Sequence, residues 1–99
     1  MIITIANKLN EHDERRLRKL IKAALYILSA TTNIELDLKE VSVSPTDDFK
    51  DIVIEVPDQF AEELKKYNVD IIEYLNQAML VWSVTLKLMK HHNNLGGLE

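Results

Sequence analysis

The sequence lacks cysteine altogether and contains only two glycines and two prolines in its 99 residues. Without cysteine, the chain can form no disulfide and perform no thiol chemistry. Both glycines lie at positions 96 and 97, so no glycine-rich loop is present to hold a phosphate, and no serine-nucleophile signature occurs. The three histidines match no zinc or hydrolase spacing. These absences predict a protein without cofactor, metal or catalytic activity.

A secretory leader and a long uninterrupted hydrophobic run are also missing. The apolar residues 1–6 form too short a segment, with neither a charged leader nor a small-residue cleavage site. The longest apolar stretch is interrupted by Glu73, Asn76, Gln77 and Lys87, which argues against a membrane span. We therefore expect a cytoplasmic protein that does not bind membranes.

The composition that remains is that of an ordinary globular domain, with 46% hydrophobic and 28% charged residues. A chain of 99 residues is large enough for one domain with a single core, but this core provides little stability to spare. Association between copies would therefore add stability. We expect a single domain over residues 1–95. Residues 96–99 read as a flexible tail and resemble a cloning remnant.

The charge is unevenly distributed along the chain. The formal net charge is -4, and residues 35–73 hold twelve acidic but only four basic side chains. A moderately acidic protein is repelled by nucleic acid and by anionic membranes unless a basic patch faces them. Another protein is therefore the expected partner, and nucleic acid is disfavoured.

Residues 68–92 form the longest apolar segment, and their spacing predicts a helix. Asp70 can cap its first turn, with Glu73 placed three residues later. A first apolar stripe at spacings of three and four predicts the buried face: Ile72, Leu75, Met79, Trp82, Leu86 and Met89. Residues 80–89 also alternate between apolar and polar side chains, and a strand is the competing interpretation.

A second apolar stripe runs beside the first and leaves only a narrow polar edge. Its members are Ile71, Leu80, Val81, Val84 and Leu88. A helix that is apolar over more than half of its circumference either is surrounded by its own core or uses one face for an interface. We therefore take Leu80, Val81, Val84 and Leu88 as candidate interface residues.

The rest of the chain predicts a strand, a helix, a two-stranded hairpin and a short helix. The expected ranges are 1–6, 10–31, 34–43, 51–56 and 59–67, with Asn10 and Asp58 as caps of the two helices. Together with the long helix this gives the order β-α-β-β-α-α. The predicted fold is a two-layer α+β domain, in which a small, mostly antiparallel sheet is covered by helices on one face.

Two clusters of charged residues are candidate sites. Arg15, Arg18, Lys19 and Lys22 form a basic patch on the helix at 10–31, which could contact phosphate or an acidic partner or could simply be a solvated face. Four carboxylates are expected on the sheet face opposite the helices: Glu35, Asp37, Asp51 and Glu55. They form either a solvated surface or, in a small metal-dependent hydrolase, a cation site.

Residues 51–82, DIVIEVPDQFAEELKKYNVDIIEYLNQAMLVW, resemble a ribbon-helix-helix module of small repressors and antitoxins. The likeness lies in a strand that ends in proline, a short helix, a turn with a small apolar residue and a longer helix. The resemblance implies a dimer in which two strands pair antiparallel and enter the DNA major groove. It assigns Asp51, Val53 and Glu55 to the groove-facing positions.

The sequence thus predicts a non-enzymatic interaction protein that acts through protein–protein contacts as a homodimer. The long helix, the hairpin or both would form the interface. A ribbon-helix-helix-like DNA-binding regulator or antitoxin is the alternative.

Overall fold

The computed structural model describes the backbone of residues 1–96 and the side chains of residues 1–89. This part of the chain forms three strands and three helices in the predicted order β-α-β-β-α-α, so the α+β fold is confirmed. The strands are β1 (Ile2–Ala6), β2 (Ser42–Pro45) and β3 (Asp51–Glu55), and the helices are α1 (Glu14–Thr32), α2 (Asp58–Lys66) and α3 (Ile71–Gly96). Residues 97–99, most of the predicted tail, lie outside the described residues.

The sheet is antiparallel, with β3 in the centre and the spatial order β1-β3-β2. Ile54 of β3 lies opposite Ile3 of β1 and Val43 of β2, and all three side chains are buried. Because side chains alternate between the faces of a strand, this register gives the sheet one continuous apolar face. The helices cover that face.

Helix α1 begins later than the sequence predicts. Asn10 has a φ of 52°, in the left-handed region, whereas an N-cap residue needs an extended backbone. Asp13 caps the helix instead, because its carboxylate accepts hydrogen bonds from the backbone N–H groups of Arg15 at 3.0 Å and Arg16 at 3.4 Å. The helix ends at Thr32, and the C-cap residue Asn33 has a φ of 59°, which asparagine tolerates better than most residues.

The strand predicted over residues 34–43 is wrong except for its last two residues, Ser42 and Val43. Asp37 caps a single 3₁₀ turn, Leu38–Glu40, by accepting a hydrogen bond from the backbone N–H of Lys39 at 3.0 Å. Strand β2 begins only at Ser42. Glu35 and Asp37 are consequently not on the sheet, so only Asp51 and Glu55 of the four predicted carboxylates lie on its open face.

Helix α2 follows Pro57 and packs Phe60 and Leu64 into the core. The predicted cap by Asp58 is wrong: no side chain caps this helix, and the Asp58 carboxylate instead lies 2.6 Å from the amino group of Met1. The positive φ of Asn68 then turns the chain towards α3.

Helix α3 has 26 residues and is therefore about 39 Å long. Its predicted cap is confirmed: Asp70 Oδ1 accepts from the backbone N–H groups of Ile72 at 3.0 Å and Glu73 at 3.2 Å. The predicted buried face is partly wrong, because Ile71 is buried whereas Ile72 is 43% exposed. Burial along the helix ends at Met79, so α3 continues past the core of the domain.

Candidate protein-binding surface

Beyond Met79, none of the described side chains of α3 belongs to the buried core. None of residues 80–89 is buried, although seven of these ten side chains are apolar. Trp82 and Leu86 are partly covered, and Met89 is exposed. We call residues 80–89 the projecting segment, because burial along α3 ends at Met79.

Four apolar side chains on the projecting segment lie largely in solvent. Leu80 is 55% exposed, Val81 64%, Val84 51% and Leu88 64%. The spacing of three and four from Val81 to Val84 to Leu88 keeps them on one side of the helix. These are the four residues that the sequence singles out as an interface, and we call them the exposed stripe. Large contiguous apolar patches on soluble proteins are typical of sites that contact other proteins, membranes or ligands.

A groove between α1 and α3 adjoins the exposed stripe. Its volume is about 300 Å³, and its lining is largely apolar: Ala24, Ile27, Tyr74, Gln77, Ala78, Val81 and Trp82. The floor is fixed by a hydrogen bond in which the Tyr74 hydroxyl donates to the carbonyl oxygen of Ala24 at 2.6 Å. Since Val81 belongs to both features, the stripe and the groove form one surface.

The sequence interpretation missed the contribution of Ile27 to this surface. Ile27 is 51% exposed and lies on the side of α1 that borders the groove. A signal was available, because an isoleucine beside the buried positions Ala24 and Leu28 widens the apolar face of α1 on one side. Ile27 borders a groove only because α3 lies beside it, and the sequence pattern of α1 does not reveal where α3 lies.

The four basic residues of α1 remain together on the helix surface, but part of their charge is balanced. The Arg18 guanidinium lies 3.0 Å from the Glu14 carboxylate, and the neighbouring Arg16 lies 3.6 Å from Glu11. Arg15 and Lys19 are exposed, and Lys22 is partly buried. The patch is thus interleaved with acidic side chains, and its contact with phosphate stays a prediction.

The acidic side chains are spread over different surfaces. Glu35, Asp37, Glu40 and Glu63 line an open pocket of about 520 Å³ beside α2, whereas Asp51 and Glu55 lie on the sheet. Among the residues that the structure describes, no three histidine or acidic side chains are grouped so that they could hold a metal ion. The cation site considered for the sheet face therefore has no supporting geometry in this region.

The shifted pKa values have local structural causes. Hydrogen bonds from the Lys50 backbone and the Thr46 hydroxyl lower the pKa of the Asp48 carboxyl in the β2–β3 turn. The amino group of Met1 lowers the pKa of Asp58, and burial raises the pKa of the Tyr74 phenol. Each shift thus has a cause in the local structure and none indicates a catalytic group.

The groove-facing positions implied by the ribbon-helix-helix resemblance lie on the central strand of the sheet. Val53 of β3 is opposite Thr4 of β1 and Ser44 of β2, so both edges of β3 are already paired. Pairing this strand with a second chain would require one of these ladders to open. The resemblance stays a prediction, and α3 is the surface available without such a change.

Comparisons with known proteins give no relative from which a function could be transferred. No family model matches the chain, and no curated protein or solved structure has a significant similarity to it. Within residues 1–96, no helix combines the length and the apolar character needed to span a membrane. The surface itself is therefore the basis for a functional proposal.

Proposed function

We propose that this protein is a non-enzymatic interaction module, which uses the exposed stripe of α3 for protein–protein contact and acts as a homodimer. The main support is the exposure of Leu80, Val81, Val84 and Leu88, each of which is more than half accessible to solvent. Complete burial of such a side chain contributes about 1.5–3 kcal/mol, and roughly half of this gain is still unused at each of the four positions.

A second copy of the chain is the partner that this surface fits without further assumptions. A small domain gains stability when its apolar surface is shared between copies. Twofold dimers are also the commonest assemblies of soluble proteins, and each copy supplies the same patch. Because the gain at each side chain is modest, the association should depend on protein concentration.

The first test is molar mass by light scattering over a wide concentration range. We expect a rise from the monomer mass of 11.4 kDa towards twice that value. Val84→Glu should abolish the rise, because it places a charge in an apolar contact, while the circular dichroism spectrum stays that of the folded domain. The matched control is Val53→Glu, which introduces the same change on the open sheet face and should leave dimerisation intact.

Two results would refute the homodimer. The first is a monomer at every concentration together with unfolding of Val84→Glu, which would mean that the stripe is needed within a single chain. The second is a dimer that Val53→Glu disrupts and Val84→Glu does not, which would place the interface on the sheet.

A further inference from the structure

We propose that two copies associate with their α3 helices antiparallel, around a twofold axis close to Leu80. In this arrangement the projecting segment of each chain lies in the groove between α1 and α3 of the other. The arrangement rests on the proposed homodimer and adds its geometry, the residues that meet and the charges that fix the orientation.

The order of features along α3 makes the surface complementary to itself. On one side of Leu80 lies the exposed stripe, with Val84 and Leu88 about 6 and 12 Å along the helix axis. The groove lies mainly on the other side of Leu80, with Gln77 and Tyr74 about 4.5 and 9 Å away, and it reaches Trp82 about 3 Å past Leu80. A twofold rotation about Leu80 therefore places Val84 of one copy between the levels of Tyr74 and Ala78 of the other.

This arrangement also covers the part of the helix that its own domain leaves exposed. The projecting segment is largely exposed because α3 continues past its own core, whereas Tyr74, Gln77 and Ala78 of the groove lie where α3 is anchored on α1. Antiparallel pairing puts the projecting segment of each copy beside residues 71–79 of the other. Ile27, exposed at the edge of the groove, would then contact the incoming helix.

Charge complementarity selects the antiparallel orientation. Glu73, Leu80 and Lys87 are spaced by seven residues, so they follow one line along the flank of the exposed stripe, and all three are exposed. Rotation about Leu80 brings Glu73 of each copy to Lys87 of the other, which forms two equivalent ion pairs. A parallel dimer would instead bring the two glutamates to one level and the two lysines to another.

Single cysteines can measure the orientation directly, because the chain has none of its own. We would prepare Leu80→Cys, Leu88→Cys and, as a control for random collision, Glu62→Cys on the exposed surface of α2. After light scattering has shown that each variant still dimerises, a short bismaleimide is added. Leu80→Cys should cross-link roughly tenfold faster than the other two, because the two copies of residue 88 would be about 24 Å apart along the axis.

The possible outcomes separate this geometry from the homodimer itself. Cross-linking of Leu88→Cys as fast as that of Leu80→Cys, or faster, overturns the antiparallel geometry about Leu80 and leaves the homodimer standing, because a parallel pair brings both positions level with their own copies. The same holds if a dimeric Leu80→Cys variant cross-links no faster than Glu62→Cys. A wild-type chain that is monomeric at every concentration overturns both.

A charge reversal tests the ion pairs in the same assay of molar mass. Lys87→Glu should raise the dissociation constant roughly tenfold, since it replaces two attractive pairs with two repulsive ones. The double variant Glu73→Lys/Lys87→Glu should return most of that affinity. Lys65→Glu on α2 is the control, because it changes the net charge equally at an exposed position away from the stripe. A double variant no better than Lys87→Glu alone overturns the proposed pairing.

Discussion

The two halves of α3 have similar apolar content but opposite burial. Residues 71–79, the anchored half, bury Ile71, Leu75 and Met79, whereas no residue of the projecting segment is buried. The strands have four or five residues and span about 13–17 Å, while α3 is about 39 Å long. Burial is therefore decided by what lies opposite a side chain as much as by its chemistry.

The contacts that fix the anchored half are specific to it. Asp70 caps its first turn, and the Tyr74 hydroxyl joins it to Ala24 of α1. The projecting segment has apolar side chains on the outer side of the same helix, where its own domain supplies no cover. Such side chains add little to the folding of one chain, which supports the proposed contact between chains.

The same substitution in the two halves should have very different effects. Leu75 is completely buried, and Leu75→Ala should lower the free energy of unfolding by about 2–5 kcal/mol, because it loses apolar contacts and leaves a cavity. Leu88 is 64% exposed, and Leu88→Ala should change this free energy by less than about 0.5 kcal/mol. Urea denaturation, at concentrations where light scattering shows a monomer, measures both.

Equal losses in free energy of unfolding for Leu75→Ala and Leu88→Ala would contradict this difference between the two parts of α3. They would mean that the projecting segment is part of the cooperative core of a single chain. Leu88→Ala should instead weaken the dimer, so the two variants together separate stability of the fold from stability of the association.

The sequence predicts the apolar faces of α3 better than it predicts where each is buried. Helical spacing assigns Leu80, Val81, Val84 and Leu88 to one side, and the structure finds all four exposed. The same arithmetic chose Ile72 over Ile71 for the core, because these neighbours differ by 100° and each lies near the edge of the apolar face. Which of Ile71 and Ile72 is buried depends on where β1 and α1 lie, and their positions depend on the whole fold.

Local capping chemistry explains which element boundaries could be predicted. Asp70 is confirmed as a cap because its side chain reaches the free N–H groups of the next turn. Asn10 and Asp58 have the same chemistry but fail as caps, one because of its left-handed backbone and the other because it contacts Met1. The alternation at residues 34–38 was equally misleading, because an extended segment can pack alternate side chains without joining a sheet.

A smaller loss of stability than that of Leu75→Ala is expected when the link between α1 and the anchored half of α3 is removed. Tyr74→Phe removes the hydrogen bond to Ala24 while keeping the ring, so it should lower the free energy of unfolding by about 0.5–1.5 kcal/mol. Tyr26→Phe is the control. Tyr26 is 62% exposed, so the loss of its hydroxyl should leave the free energy of unfolding nearly unchanged. Equal effects of the two changes would show that the Tyr74 contact does not anchor the helix.

This link should also depend on pH. Burial raises the pKa of the Tyr74 phenol above its ordinary value of 10.0, so above that pH the unfolded chain loses this proton before the folded chain does. The unfolded state then binds fewer protons, and the contribution of Tyr74, complete below pH 10.0, is lost as the pH rises through the folded-state pKa. The stability difference between wild type and Tyr74→Phe should therefore shrink in alkaline urea titrations. A stability difference that stays constant would mean that the phenol ionises equally easily in the folded and unfolded states. The Tyr74 hydroxyl would then make no pH-dependent contribution to the free energy of unfolding.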